Sequence, residues 1–206
     1  MQPSFKIELT KWFNLKIKKM KTLKFMIILP LIALVVQNVA AKGQSTGLYL
    51  TANDYIVHKV SFGTANDKIK ISGLFGTNKV VLIQDGKKQF FPKSEVFGYI
   101  KDGEDYRFFN NAEYQILSNN GLVIYGHTTL VQQGKGPKPT KLFYFSSGLT
   151  TAILPLSIAN LESVYGKNPK FIYAVESLFK SDNELASFDS YNKQYKLAYL
   201  YAQNTM

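Results

Sequence analysis

Arginine occurs once among the 25 lysines and arginines of this chain, at Arg107. A chain that writes nearly every cation as lysine has kept a guanidinium here. Its planar fork binds a carboxylate bidentately or stacks on a ring, which an ammonium cannot copy. In a strand, its neighbours Tyr106 and Phe108 point to the opposite face. Two readings follow. One is a structural ion pair with a C-terminal acid, Asp189 being the favoured partner. The other is contact with an anionic ligand or partner. His127 follows Tyr125-Gly126 near the end of a strand pattern. A histidine there acts as a general base when a carboxylate orients it. A hydrolytic site would therefore need His127, Arg107 and a carboxylate such as Asp105 or Asp189 in one cleft. The binding residues expected are Arg107, His127, Tyr106 and Asp189; no catalytic residue is assigned.

Other chemistries are poorly supported. The absence of cysteine excludes disulfides, thiolate zinc sites, a cysteine nucleophile and a lipidated N-terminal cysteine. With His58 and His127 the only imidazoles, no metal or cofactor is expected. Ser177-Leu178-Phe179-Lys180 and the adjoining Ser181-Asp182-Asn183 match two motifs of serine penicillin-binding enzymes. In those enzymes the motifs lie far apart in sequence and a Lys-Thr-Gly strand completes them, which this chain lacks. Asp102-Gly103-Glu104-Asp105 is acidic enough to attract calcium, but without further ligands at the right spacing it reads as a charged turn. Gly134-Lys135-Gly136-Pro137-Lys138-Pro139 reads as a flexible, basic hairpin loop and lacks the lysine-serine pair of a phosphate loop.

The elements that would position these residues begin after a leader. Residues 1–41 carry seven lysines and one acid, Glu8, and nothing charged lies between Phe25 and Ala41. The apolar heart, Phe25 to Val36, is shorter than the roughly 20 residues of a membrane span. A basic stretch, a short apolar stretch and the small residues Val39-Ala40-Ala41 form a secretory signal peptide pattern, cleaved after Ala41. An uncleaved anchor is the alternative, and membrane contact is otherwise not expected. Met20-Lys21-Thr22-Leu23-Lys24 would make a normal start by itself, without residues 1–19 and Trp12. The net charge of +11 falls to +5 over residues 42–206, with 18 basic and 13 acidic residues. The basic excess thus belongs largely to the leader, and nucleic acid is not an expected partner.

Residues 42–206 suit one domain, with strands over about 47–150 and helices over 157–203. Lys68–Ile71, Lys79–Ile83, Gln89–Phe91, Val96–Ile100, Asp105–Phe109, Glu113–Leu117, Leu122–Tyr125 and Lys141–Phe145 alternate or cluster as strands do. Asp85-Gly86, Asp102-Gly103 and Asn119-Asn120-Gly121 supply the turns. The expected fold is α+β: an antiparallel meander, roll or partly open barrel, followed by two or three C-terminal helices. Ser157 caps a helix to Tyr165, which Gly166 ends in a left-handed turn. Asn168 caps a second, with Pro169 at its first position and Phe171, Ala174, Val175 and Leu178 on one face. Ser181 to Glu184 reads as a capping box that starts a third, about Asp182 to Gln203. Its stripe would be Leu185, Phe188, Tyr191, Tyr195, Tyr199 and Ala202.

Several stretches together resemble an uncharacterised family of small exported bacterial cell-envelope proteins: Gly47-Leu48-Tyr49-Leu50-Thr51, Phe91 to Tyr99, Tyr106-Arg107-Phe108-Phe109, Tyr144-Phe145-Ser146 and Phe188 to Lys196. The likeness spans most of residues 47–201. It implies export, to the periplasm or beyond, and a single domain; it assigns no activity and no catalytic residue. The function expected is a non-enzymatic envelope protein binding a partner protein or small ligand. The alternative is an envelope hydrolase built on His127, Arg107 and a carboxylate.

Overall fold

Tight turns set the architecture. Asp85-Gly86 and Asp102-Gly103 adopt positive φ at both central positions (49° and 75°, 55° and 79°), the geometry that matches the twist of paired strands. Asn110-Asn111 does the same (48° and 63°) with no glycine at all, since asparagine tolerates that region. The computed structural model describes residues 46–63, 68–71 and 78–205, all within one compact unit, Gln44–Met206. The leader expected over residues 1–41 lies outside the described residues.

The strands are β1 (Gly47–Tyr49), β2 (Lys68–Ile71), β3 (Lys79–Gln84), β4 (Lys87–Pro92), β5 (Gly98–Lys101), β6 (Glu104–Phe109), β7 (Ala112–Asn120), β8 (Leu122–Gln133), β9 (Gly136–Ser146) and β10 (Leu154–Pro155). Seven form an open antiparallel sheet in the order β1-β5-β6-β7-β8-β9-β10; β2-β3-β4 form a second. A short helix α1 (Ala52–Ile56) follows β1, with a capping box at Thr51 and Asp54. Its buried Tyr55 packs on Tyr49 and Phe97. Helices α2 (Ile158–Tyr165) and α3 (Pro169–Leu178) follow the sheet. The fold is thus α+β with a partly open sheet.

Alternation gives the large sheet two working faces. Leu122, Ile124 and Phe145 meet Leu161, Phe171, Val175, Phe179, Leu185 and Leu197 of the helical part. On the other face Val123 and Tyr125 pack with Ile153, Tyr114, Ile116, Tyr144 and Leu149. Leu48, Tyr99 and Phe108 meet Ile69, Val80 and Leu82 of the small sheet.

The helical segment departs from expectation at three places. Gly166 is right-handed (φ −57°), so it does not supply a left-handed cap. The buried face of α3 runs through Phe171, Ile172 and Val175 to Phe179, while Leu178 is half exposed. The long third helix does not form. Residues Asp182–Ala186 make a 3₁₀ turn, Phe188–Asp189 (β11) pairs with Gln194–Tyr195 (β12), and only then does α4 (Lys196–Thr205) begin. Local polar bonding overrides the apolar period. The Asp189 carboxylate accepts from the Tyr191 and Asn192 amides (2.9 and 3.1 Å) and from Asn192 Nδ2 (2.7 Å). Lys193 then turns the chain at φ 51°. Tyr191, expected inside a buried stripe, is 93% exposed. The capping box at Ser181 is also unmade: Glu184 accepts instead from Lys180 N, and Asp182 from Ile158 N.

Candidate functional site

Arg107 sits at the centre of β6 and is buried, 5% exposed. Its expected partner, Asp189, is engaged elsewhere in its own turn, where the Asn192 amide holds its carboxyl below the usual range. Arg107 donates instead to neutral oxygens: Nη1 to the Tyr125 hydroxyl (2.9 Å) and Nη2 to the Thr151 carbonyl (2.8 Å). Phe97, Phe109 and Tyr125 surround the guanidinium at 5.6–5.9 Å from ring centroid to Cζ. Ring faces offset part of the desolvation of a buried cation. The ion-pair expectation is therefore corrected. The planar fork spans both acceptors at once and ties β6 to β8 and to the 147–153 loop.

His127 lies where β7 and β8 part. The last pair in register is Gln115 with Gly126. One residue on, His127 Nδ1 donates to the Glu113 carbonyl (2.7 Å). The ring packs against Tyr114 (5.2 Å) and Tyr144 (6.2 Å). Asp105 accepts from the Tyr49 hydroxyl at 3.0 Å. Among the described residues no hydrogen bond joins His127 to a carboxylate, and none joins it to Arg107. Tyr106 stacks on Tyr99 (4.6 Å, 3° between planes) on the opposite face, and its hydroxyl donates to Glu104 (2.6 Å). The four residues expected to form a binding site thus hold separate posts.

Sequence reasoning missed a second buried cation, Lys93. Its Nζ donates to the Asn111 carbonyl (2.9 Å) and lies 5.6 Å from the Phe108 ring centroid. A lysine in a turn after Pro92 carries no sign of burial.

Also missed was the length of the β8–β9 hairpin. Of residues Gly134 to Pro139, expected to form a hairpin loop, only Gly134 and Lys135 do so; Gly136 to Pro139 begin strand β9, with Gln133 paired to Gly136 across that two-residue turn. Gly134 takes the positive φ of the first turn position, 58°. Prolines can enter a strand when their missing N–H faces away from the partner, and alternate positions face the same way. Pro137 and Pro139 satisfy this together. Beyond Gly126 the hairpin leaves β7 behind and continues as a two-stranded ribbon. Thr128, Leu130, Gln132, Lys135, Pro137, Lys138 and Pro139 are exposed, Leu130 by 65%.

At the ribbon's base an open cleft of about 370 Å³ lies between β9 and the Asp182–Ala186 turn, lined by Lys141, Phe143, Pro155, Leu156 and Asn183. Lys141 reaches out of it to Gln115 Oε1 (2.9 Å). Among the described residues no cluster of three or more histidine or acidic side chains could hold a metal. No protein-family model, no curated protein and no solved structure matches the chain.

Proposed function

We propose that the protein is an exported, non-enzymatic domain that binds a partner protein in the cell envelope, with the β8–β9 ribbon as its contact element. The leader pattern supports export. The observation that carries the binding reading is the ribbon itself. A two-stranded hairpin outside a sheet has little stability of its own. Yet beyond Gly126 seven residue pairs, from His127 with Leu142 to Gln133 with Gly136, hold this one in register. Exposed Leu130 on one face, Leu142 on the other and the flanking lysines suit the ribbon to a protein partner.

The test is native mass spectrometry of the protein from its host's envelope fraction, beside a variant in which residues 130–139 are replaced by Asn-Gly. That replacement closes the hairpin at Thr129 and Thr140, a pair already opposite each other. A chain mass beginning near Lys42 and an added partner mass lost with the shortened ribbon are the expected results. A partner retained by the shortened variant rejects the ribbon as contact. A chain found only in the cytosol rejects export.

A further inference from the structure

The two edges of the ribbon differ. Leu156 N donates to the Phe143 carbonyl at 3.0 Å, so Phe143 turns its backbone groups away from β8. Every second residue of a strand does the same. Lys141, Pro139 and Pro137 therefore face outward too, and the two prolines bring no N–H to that edge. It is closed to a partner strand over its outer half. Opposite them stand Thr128, Leu130 and Gln132. These three also direct N–H and C=O outward, on the β8 side. That edge contains no proline, and among the described residues no strand pairs with it after Gly126. His127 bonds the Glu113 carbonyl at the point where the open edge begins.

Charge selects what can pair there. The ribbon carries Lys135, Lys138 and Lys141, and no aspartate or glutamate occurs between Glu113 and Glu162. The lysines stand on β9 and its turn, one strand behind the open edge, and Lys141 shows their reach by crossing β8 to Gln115 Oε1 of β7; a second copy of the ribbon, which holds no acid, offers them nothing to meet. An acidic strand is favoured on the same ground.

We infer that the open edge of β8, at Thr128, Leu130 and Gln132, receives an extended acidic segment of a partner protein as an added antiparallel or parallel strand. Three N–H and three C=O groups supply the pairing, and Lys135, Lys138 and Lys141 supply the charge preference. This rests on the ribbon being the contact element. A nucleic acid or an anionic lipid surface would answer to the lysines but has no use for the alternating backbone groups.

The test uses a short labelled peptide alternating glutamate and valine, the same peptide N-methylated at alternate amides, and its lysine-for-glutamate counterpart. Leu130→Pro is the decisive variant. Leu130 faces Pro139 in a pair whose N–H groups are not used between β8 and β9, so proline removes an edge donor without breaking the ladder. The acidic peptide should bind, protect the amides of Thr128, Leu130 and Gln132 from exchange, and lose affinity at least about tenfold in Leu130→Pro at unchanged melting temperature. The N-methylated peptide should bind weakly to wild type. Should Leu130→Pro disturb the fold, Lys135→Glu with Lys138→Glu serves instead. It should reverse the preference toward the lysine peptide. Protection elsewhere, or affinity unchanged in both variants, overturns the inference. So does equal binding of an oligothymidylate or of phosphatidylglycerol vesicles that ignores Leu130→Pro. If no peptide binds while the shortened ribbon still loses its envelope partner, strand addition fails and the ribbon's role stands.

Discussion

Arg107 and Tyr125 fix each other's hydrogen-bond direction. The Ser146 hydroxyl donates to the Gly148 carbonyl at 2.7 Å, so its single proton is spent. Tyr125, 2.9 Å from Ser146 Oγ, must then donate to it. Tyr125 in turn accepts from Arg107 Nη1. The chain runs one way, from guanidinium to loop carbonyl, across β6, β8 and β9.

Removing the Tyr125 hydroxyl strands a buried guanidinium donor. Tyr125→Phe is expected to cost about 1–3 kcal/mol, the penalty of an unsatisfied buried group. Arg107→Lys should cost a similar amount, because one ammonium cannot reach both Tyr125 and Thr151 with the same planar spacing. Ser146→Ala should be milder, since Gly148 O keeps the Thr151 amide and hydroxyl. Urea unfolding of the three variants measures the order. Equal midpoints for all three and wild type would remove Arg107 from any structural role.

Gly98 is needed for close approach. A Cβ there would sit 1.9 Å from the Tyr106 carbonyl oxygen, a backbone atom with nowhere to go. Gly126 differs: its Cβ would meet the Lys141 side chain near its end, at 2.3 Å from Cε, which can swing aside. Gly98→Ala should destabilise by about 1–3 kcal/mol or more, as overpacking does. Gly126→Ala should cost less and shift Lys141 away from Gln115. Thermal melts of the pair check the contrast; a larger loss at Gly126 contradicts it.

The strands were legible because their signals are local. Alternation at Lys68–Ile71 and the Asp-Gly turns each state their own geometry. The strand-then-helix order gave α+β without any long-range knowledge. What stayed hidden depends on side-chain bonding, strand orientation or partners far along the chain. The apolar spacing from Leu185 to Tyr199 looks helical until the Asp189 carboxylate is seen gathering the next turn's amides. Pro137 and Pro139 look like loop residues until their shared orientation on a strand edge is known. Arg107 announced itself by rarity, yet rarity does not say whether the fork holds an acid, a ligand or two neutral oxygens. Its actual partners lie 18 and 44 residues away, beyond any spacing rule.

Alkaline pH should unfold the protein through its tyrosines. Burial pushes the Tyr99 hydroxyl far above its ordinary 10.0, and the Glu113 charge and the 2.7 Å bond to it add to the shift. Tyr49 and Tyr106 are raised the same way, burial first, with Asp105 and Glu104 as their acceptors. A folded value above the unfolded one means the native state holds its proton more tightly. The stabilisation is complete below pH 10.0 and is lost as pH climbs past it. From about pH 10 upward the urea midpoint should therefore fall, and phenolate absorbance from these three should rise only with unfolding. Tyr99→Phe starts less stable, having lost its bond to Glu113, but its midpoint should fall less steeply over the same range. A wild-type midpoint that stays flat while all the tyrosines titrate near their ordinary value would show that the tyrosine–carboxylate bonds do not hold in solution.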